Sequence, residues 1–102
     1  MKNLAMITHA NAQEYLADLL RSLEQVQGFT FSYVEGHGAQ VEHDPLLSVR
    51  DKVVGYTPRV RVDILLEDAD VELVLAALRM NGSGVAGQGI YWVTPVEQHG
   101  RL

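Results

Sequence analysis

The segment RVRVDILLE, residues 59–67, alternates apolar and polar side chains with a period of two over most of its length. Because successive side chains of a strand point to opposite faces of a sheet, this period predicts a strand with two different faces. One face carries only apolar residues: Val60, Val62, Ile64 and Leu66. The other carries Arg61, Asp63 and Leu65. The segment therefore predicts a central strand that packs against a core on one side only.

Helical periodicity lies on both sides of this strand. Residues 68–80 place acids in a first helical turn, followed by the apolar stripe Val71, Val74, Leu75 and Leu78. Upstream, an apolar stripe at helical spacing comprises Leu16, Leu19, Leu20, Leu23 and Val26. Asn11 and Glu14 have the spacing of a capping box at its start, and Gly28 is a stop signal at its end. We therefore predict two amphipathic helices.

Three further strands complete the pattern. They are predicted at residues 3–9, at residues 29–35 and at residues 90–94, and a polar stretch of residues 36–54 forms a long loop. The order β, α, β, loop, β, α, β predicts one α+β domain over residues 1–102. We expect a ferredoxin-like βαββαβ fold, with a four-stranded antiparallel sheet and two helices on one face.

Two helices on one face leave the other face of the sheet uncovered. We expect Leu65 on that side, with Tyr33 and Val93 depending on register, and we expect self-association to bury it. Arg61 and Asp63 share this side, which leaves two alternatives. They form either a solvated pair within one chain or part of a ring of ion pairs between copies.

Composition excludes several classes of function. The net charge is −5, and the eight basic residues are scattered along the chain, which argues against nucleic acid as a partner. The absence of cysteine excludes disulfides, thiolate zinc sites and thiol catalysis. No apolar run approaches the roughly twenty residues that cross a bilayer, so we expect a cytoplasmic protein without membrane insertion. No triad or spaced acid–base pair indicates an enzyme.

Three stretches resemble the PII signalling family. VEGHGAQ, residues 34–40, is similar to the base of the PII T loop, and VVGYTPRVRVDILL, residues 53–66, is similar to the return from that loop. GSGVAGQGIYWVTPVEQ, residues 82–98, resembles the PII B loop and final strand. The resemblance implies a homotrimer that holds ATP or ADP between subunits. It also implies a long loop, here residues 37–57, that docks onto a membrane transporter or a regulatory protein.

The resemblance also implies site residues. Gln40 takes the position that helps to hold a metal-bound effector, and Arg59 takes the basic position that opens the third strand. The other positions that the resemblance places in the ligand site are Gly36, His37, Gly38, Ser83, Gly84, Gly87, Gly89 and Arg101. Val85 and Ile90 replace family lysines, and Gln88 replaces an aspartate, which weakens the case for a nucleotide. Lys52 stands where enteric members carry the tyrosine that is uridylylated.

Two segments have alternative interpretations. The glycines of residues 82–89 form either a flexible connection or a cradle of backbone amides for an anion. His37 and His43 could hold zinc, copper or nickel, as in a metal-responsive protein of the CutA-like type. A structural adaptor without a ligand is a third alternative. The sequence therefore predicts a ligand-sensing regulator, with the choice among nucleotide, divalent metal and another metabolite left open.

Overall fold

The computed structural model describes residues 1–37, 57–80 and 88–102. Its strands are β1 (Lys2–His9), β2 (Thr30–Gly36), β3 (Thr57–Leu66) and β4 (Ile90–Pro95). Its helices are α1 (Gln13–Ser22) and α2 (Val71–Leu78). Each helix is preceded by a single 3₁₀ turn, at Ala10–Ala12 and at Asp68–Asp70.

The four strands form one sheet in the order β2-β3-β1-β4, and every neighbouring pair is antiparallel. This order confirms the predicted ferredoxin-like arrangement, with β1 and β3 in the centre and β2 and β4 at the edges. None of the helices in the described part of the chain is long and apolar enough to span a bilayer.

The core lies between the sheet and the two helices. The strand β3 contributes Val62, Ile64 and Leu66 to the core, and β1 contributes Leu4 and Met6. The stripe predicted for α2 is buried in full, comprising Val71, Val74, Leu75 and Leu78. Each such side chain, when fully buried, contributes about 1.5–3 kcal/mol. The apolar face of β3 and the apolar stripe of α2 therefore pack together in one core.

The first helix begins and ends differently from the prediction. Asn11 lies inside the 3₁₀ turn, and no side chain caps α1 at Ala12, so the predicted capping box is wrong. The helix ends at Ser22 because Leu23 adopts an extended backbone with ψ of 122°. Leu23 and Val26 still pack against the core from the following turn. The last two residues of the predicted apolar stripe therefore reach the core from a non-helical segment.

The sheet surface opposite the helices is named here the open face. Directly opposite residues of antiparallel strands share a face, so the register assigns its members. They include Asn3, Ala5, Ile7, His9, Thr30, Ser32, Val34, Gly36, Arg59, Arg61, Asp63, Leu65, Ile90, Trp92 and Thr94. Tyr33 and Val93 pair with Val60 and Leu4 on the helix side, so their expected place on the open face is wrong.

Thr8 and Gly89 pack closely where β1 ends and β4 begins. Thr8 is fully buried, and its Oγ1 has no hydrogen-bond partner in the part of the chain that the structure describes. A Cβ atom on Gly89 would lie 2.7 Å from the Ile7 carbonyl oxygen and 3.3 Å from the Thr8 Cβ. A side chain at Gly89 would therefore push β4 away from β1. The close approach of the two strands thus explains why a glycine stands at this position.

We expect Thr8→Val to raise the free energy of unfolding by about 1 kcal/mol, because valine keeps the shape and removes a buried hydroxyl without a partner. Urea unfolding measures this change. Glu14→Gln, at an exposed position of α1 away from the open face, is the control and should change stability by less than about 0.5 kcal/mol. A less stable Thr8→Val protein would mean that the hydroxyl is hydrogen-bonded.

We expect Gly89→Ala to lower the free energy of unfolding by about 1–3 kcal/mol, because the added methyl group overlaps backbone rather than a movable side chain. Gly28→Ala is the matched control, since a Cβ there meets nothing within 4 Å. The control should be neutral or slightly more stable. Equal melting temperatures for wild type and Gly89→Ala would contradict the close approach of the two strands.

Candidate functional site

The open face carries a compact polar network at its centre. The Arg61 guanidinium donates from Nε to Asp63 Oδ2 at 3.1 Å and from Nη2 to Asp63 Oδ1 at 3.0 Å. Asn3 Nδ2 donates to the same Oδ1 at 3.2 Å. The guanidinium also lies over the Trp92 ring, 5.1 Å from its centroid. The register brings these residues together, since Ala5 pairs with both Asp63 and Trp92.

Hydrogen bonding sets the ionisation of this network. The bonds from Arg61 hold the pKa of the Asp63 carboxyl below its usual range, with a further contribution from Asn3 and against partial burial. The pKa of Arg61 is raised by the same pair. The carboxylate and the guanidinium are therefore both charged at neutral pH, and together they add no net charge to the open face.

A groove of about 890 Å³ lies at one end of the sheet, where β1 and β2 begin and β3 ends. Part of its wall belongs to the open face, namely Asn3, Thr30, Asp63 and Leu65. The rest comes from chain segments beside that end of the sheet, including Glu24, Gly28, Phe29, Glu67, Asp70 and His99. The groove therefore opens onto the edge of the open face.

The predicted site residues that the structure describes lie at the other end of the sheet or in the tail. Gly36 ends β2 opposite Thr57, and Arg59 pairs with Val34 and with His9. Gly89 packs on the Ile7 carbonyl. From Arg59 to Leu65 the strand rises about 20 Å. Within one chain, these predicted site residues therefore lie far from the groove.

Two other predicted positions are exposed. The His37 Nε2 lies 3.4 Å from Glu35 Oε2, and Arg101 is exposed in the tail after β4. The remaining predicted site residues lie outside the described residues: Gly38, Gln40, His43, Ser83, Gly84 and Gly87. Their roles stay predictions.

The metal-binding hypothesis has limited support from the geometry. Across residues 1–37, 57–80 and 88–102, no three histidine, aspartate or glutamate side chains are placed to hold an ion. His37 has Glu35 beside it, and His43 lies outside the described residues, so the pairing of the two histidines stays a prediction.

Sequence reasoning missed the groove. The sequence pattern indicates a helix stop at Gly28 and self-association through Leu65, whereas both residues line the groove. For Asp63 the pattern indicates only a charge pair. The acids of residues 67–70 are typical of a helix start. The sequence carries no local signal for the groove, because the groove depends on the strand register that places the end of β3 beside the start of β2.

This chain is similar to known proteins over most of its length. The family model described as "Protein of unknown function (DUF3240)" matches residues 1–102. The chain is 32% identical over 78 residues to nitrogen regulatory protein P-II of Azospirillum brasilense, covering 76% of this chain and 70% of that protein. It is 31% identical over 99 residues to nitrogen regulatory protein P-II 1 of Methanothermobacter thermautotrophicus, covering 94% and 86% of the two chains.

A solved structure has the same fold. The crystal structure of a DUF3240 family protein from Shewanella baltica OS155 matches with a TM-score of 0.77 and 22% identity. The match covers 99% of this chain and 94% of that one.

The Asp63 network predicts a pH-dependent stability difference. We expect Asp63→Asn to lower the free energy of unfolding by about 1 kcal/mol at pH 7, since it removes a charge-assisted pair that is partly exposed. Because the folded-state pKa of Asp63 is depressed, its contribution is complete above the unfolded value of about 3.9 and is lost as pH falls through the folded value.

The difference between wild type and Asp63→Asn should therefore shrink on acidification toward about pH 3. Urea unfolding at both pH values measures it. Glu72→Gln removes an exposed carboxylate on α2 and controls for net charge. A penalty that is the same at both pH values would contradict an ionised Asp63 held by Arg61.

Proposed function

The chain belongs to the DUF3240 family and is a divergent member of the nitrogen regulatory protein P-II family, and from this premise we propose that it is a regulator that works as an assembly of identical copies. Its role would be to bind a small ligand between copies and to regulate a partner protein, without catalysis. The observation that carries the proposal is a sheet with helices on only one of its faces.

The open face has the composition of a surface that a copy could bury. Leu65 is 49% exposed and Ile90 is 63% exposed. Trp92 and Ile7 lie between them on the same side. An exposed apolar sheet face is unfavourable in water, and contact with a second copy removes it from solvent.

The charges on this face support burial rather than oppose it. Arg61 and Asp63 satisfy each other within one strand, which favours the intrachain pair over a ring of ion pairs exchanged between copies. An ion pair that is already hydrogen-bonded costs less to bury than an unpaired charge. We therefore infer that copies pack on the face without exchanging these partners, and the P-II resemblance implies that three copies do so.

The groove gives the assembly a place for a ligand. Asn3, Thr30, Asp63 and Leu65 belong both to the open face and to the groove wall. A copy packed on the open face would therefore form a further wall and turn the groove into a cleft. A ligand that touches both copies stabilises their contact by mass action, which links ligand concentration to assembly.

The opposite end of the sheet is the proposed partner surface. Gly36 and Thr57 are paired across β2 and β3, so the segment of residues 37–57 leaves and returns at one point. That segment corresponds to the T loop by resemblance, and we propose that it contacts a transporter or a regulatory protein. β3 connects the two ends of the sheet, from Thr57 to Leu66.

Sedimentation velocity tests the assembly. The wild-type protein should sediment as a trimer at micromolar concentration, and Leu65→Glu should sediment as a monomer because it places a charge on the open face. Leu73→Glu is the matched control, since Leu73 is 47% exposed against 49% for Leu65 but lies on α2. Circular dichroism confirms that both variants are folded.

The single tryptophan gives a second measurement. Because Trp92 lies on the open face, its emission should shift to longer wavelength on dilution of the wild type and should already be shifted in Leu65→Glu. A wild-type monomer, or a Leu65→Glu trimer, would overturn the proposed assembly.

A further inference from the structure

The helix α2 is apolar on two sides. Its sequence, VELVLAAL, contains a single charged residue, Glu72. One apolar stripe is buried in the core, and a second one lies on the solvent side at the helical spacing i, i+3, i+4 and i+7. This second stripe, named here the outer stripe, comprises Leu73, Ala76, Ala77 and Met80.

The outer stripe extends past the end of α2 because the helical turn continues there. The Arg79 amide donates to the Leu75 carbonyl at 3.0 Å, and the Met80 amide donates to the Ala77 carbonyl at 3.3 Å. Met80 therefore lies about two turns beyond Leu73 on the same side of the helix. Leu73 is 47% exposed and Met80 is 66% exposed. A helix that is apolar all round is normally buried all round, so a further contact is needed to cover this one.

The other surfaces of the subunit do not provide that contact. The helix α1 presents the exposed carboxylates of Glu14 and Asp18 to solvent, which are a poor match for an apolar stripe. The open face lies on the opposite side of the sheet from α2. Copies that pack on the open face therefore leave the outer stripe in water.

The outer stripe is complementary in shape to itself. It has a large side chain at each end, Leu73 and Met80, and the small Ala76 and Ala77 between them, so its pattern is the same in both directions. When two copies of α2 lie antiparallel about a two-fold axis between the alanines, Leu73 of each copy lies opposite Met80 of the other. The alanines then meet at the axis and allow the helix axes to approach to about 8 Å.

The charges beside the outer stripe are also complementary to themselves. Glu72 and Arg79 are seven residues apart and lie on one flank of the stripe, and the two-fold axis brings this flank against the same flank of the second helix. At a rise of about 1.5 Å per residue, Glu72 of one copy lies within about 3 Å of the height of Arg79 of the other. Arg79 Nη2 donates to the Tyr91 hydroxyl at 2.8 Å, which holds the guanidinium on this flank with further N–H donors to spare.

We propose that the outer stripe binds a second copy of this chain, as an antiparallel two-fold pair of α2 helices with two Glu72–Arg79 ion pairs between the copies. This contact goes beyond the function proposed above. An isologous contact cannot close a ring of three copies, so it joins copies from different assemblies. One short helix buries less area than a standard interface, and we expect a Kd of about 0.1–1 mM.

A single introduced thiol tests the contact, because the chain contains no cysteine. Ala76→Cys places the thiol beside the two-fold axis. At about 200 µM protein, a disulfide between two copies should form at least about five-fold faster than in Glu14→Cys, because pairing raises the local thiol concentration. Glu14 is the control, at an exposed position of α1. Non-reducing gel electrophoresis measures both rates, and equal rates would overturn the proposal.

Two charge variants test the antiparallel geometry, each combined with Ala76→Cys. Glu72→Lys makes both pairs across the axis positive, and Arg79→Glu makes both negative. In a mixture of the two variants, contact between unlike copies restores two attractive pairs. We expect the mixed disulfide dimer to exceed its statistical share by at least about three-fold. The variants differ in mass, so mass spectrometry resolves the three products, and a statistical distribution would contradict the antiparallel pair.

Sedimentation equilibrium of the wild-type chain gives a measurement without cysteines. At about 200 µM the average mass should rise above its value at micromolar concentration, whereas Leu73→Glu should show no rise. A constant wild-type mass would overturn this inference and leave the proposed trimer untouched, and a protein of another kind would then be the partner of the outer stripe. A wild-type monomer at micromolar concentration that pairs at 200 µM only with Leu73 intact would refute the trimer and support the α2 contact.

Discussion

A four-stranded sheet has two faces, and in this protein the helices cover one of them. The constraint acts through β3, whose alternate side chains must lie on opposite sides of the sheet. Val62, Ile64 and Leu66 complete the core with the helices, so Arg61, Asp63 and Leu65 are carried to the opposite side. Shifting the register by one residue would exchange these two sets and destroy both the core and the open face.

The open face resolves its charges locally. An arginine and an aspartate two residues apart on one strand can form a two-point hydrogen bond. Here they do so beside Asn3, with the guanidinium over the Trp92 ring. The face then combines apolar area with a satisfied ion pair. Such a surface can be removed from water without leaving a charge unpaired. For this reason we propose that other copies of the chain cover the open face.

The two ends of the sheet have different chemistry. At one end the groove joins the open face to carboxylates that follow α1 and β3. At the other end Gly36 and Thr57 hold together the ends of the segment that resembles the T loop. One strand, β3, runs between the two ends and lies in the centre of the sheet. The proposed ligand groove and the proposed partner surface therefore lie at opposite ends of one subunit, joined by a central strand of its sheet.

The sequence by itself determined the strand and helix order, the core face of β3 and the buried stripe of α2, because each depends on a local period that the apolar residues display. It also determined family membership, since the motifs at residues 34–40, 53–66 and 82–98 are local. The end of α1 was mispredicted because apolar spacing does not distinguish a helix from a turn that packs on the same core. Only the tertiary structure decided the sides taken by Tyr33 and Val93, the pairing of Arg61 with Asp63 and Trp92, and the existence of the groove. Each of these depends on strand register, which joins residues distant in sequence and is set when the whole sheet packs on its helices.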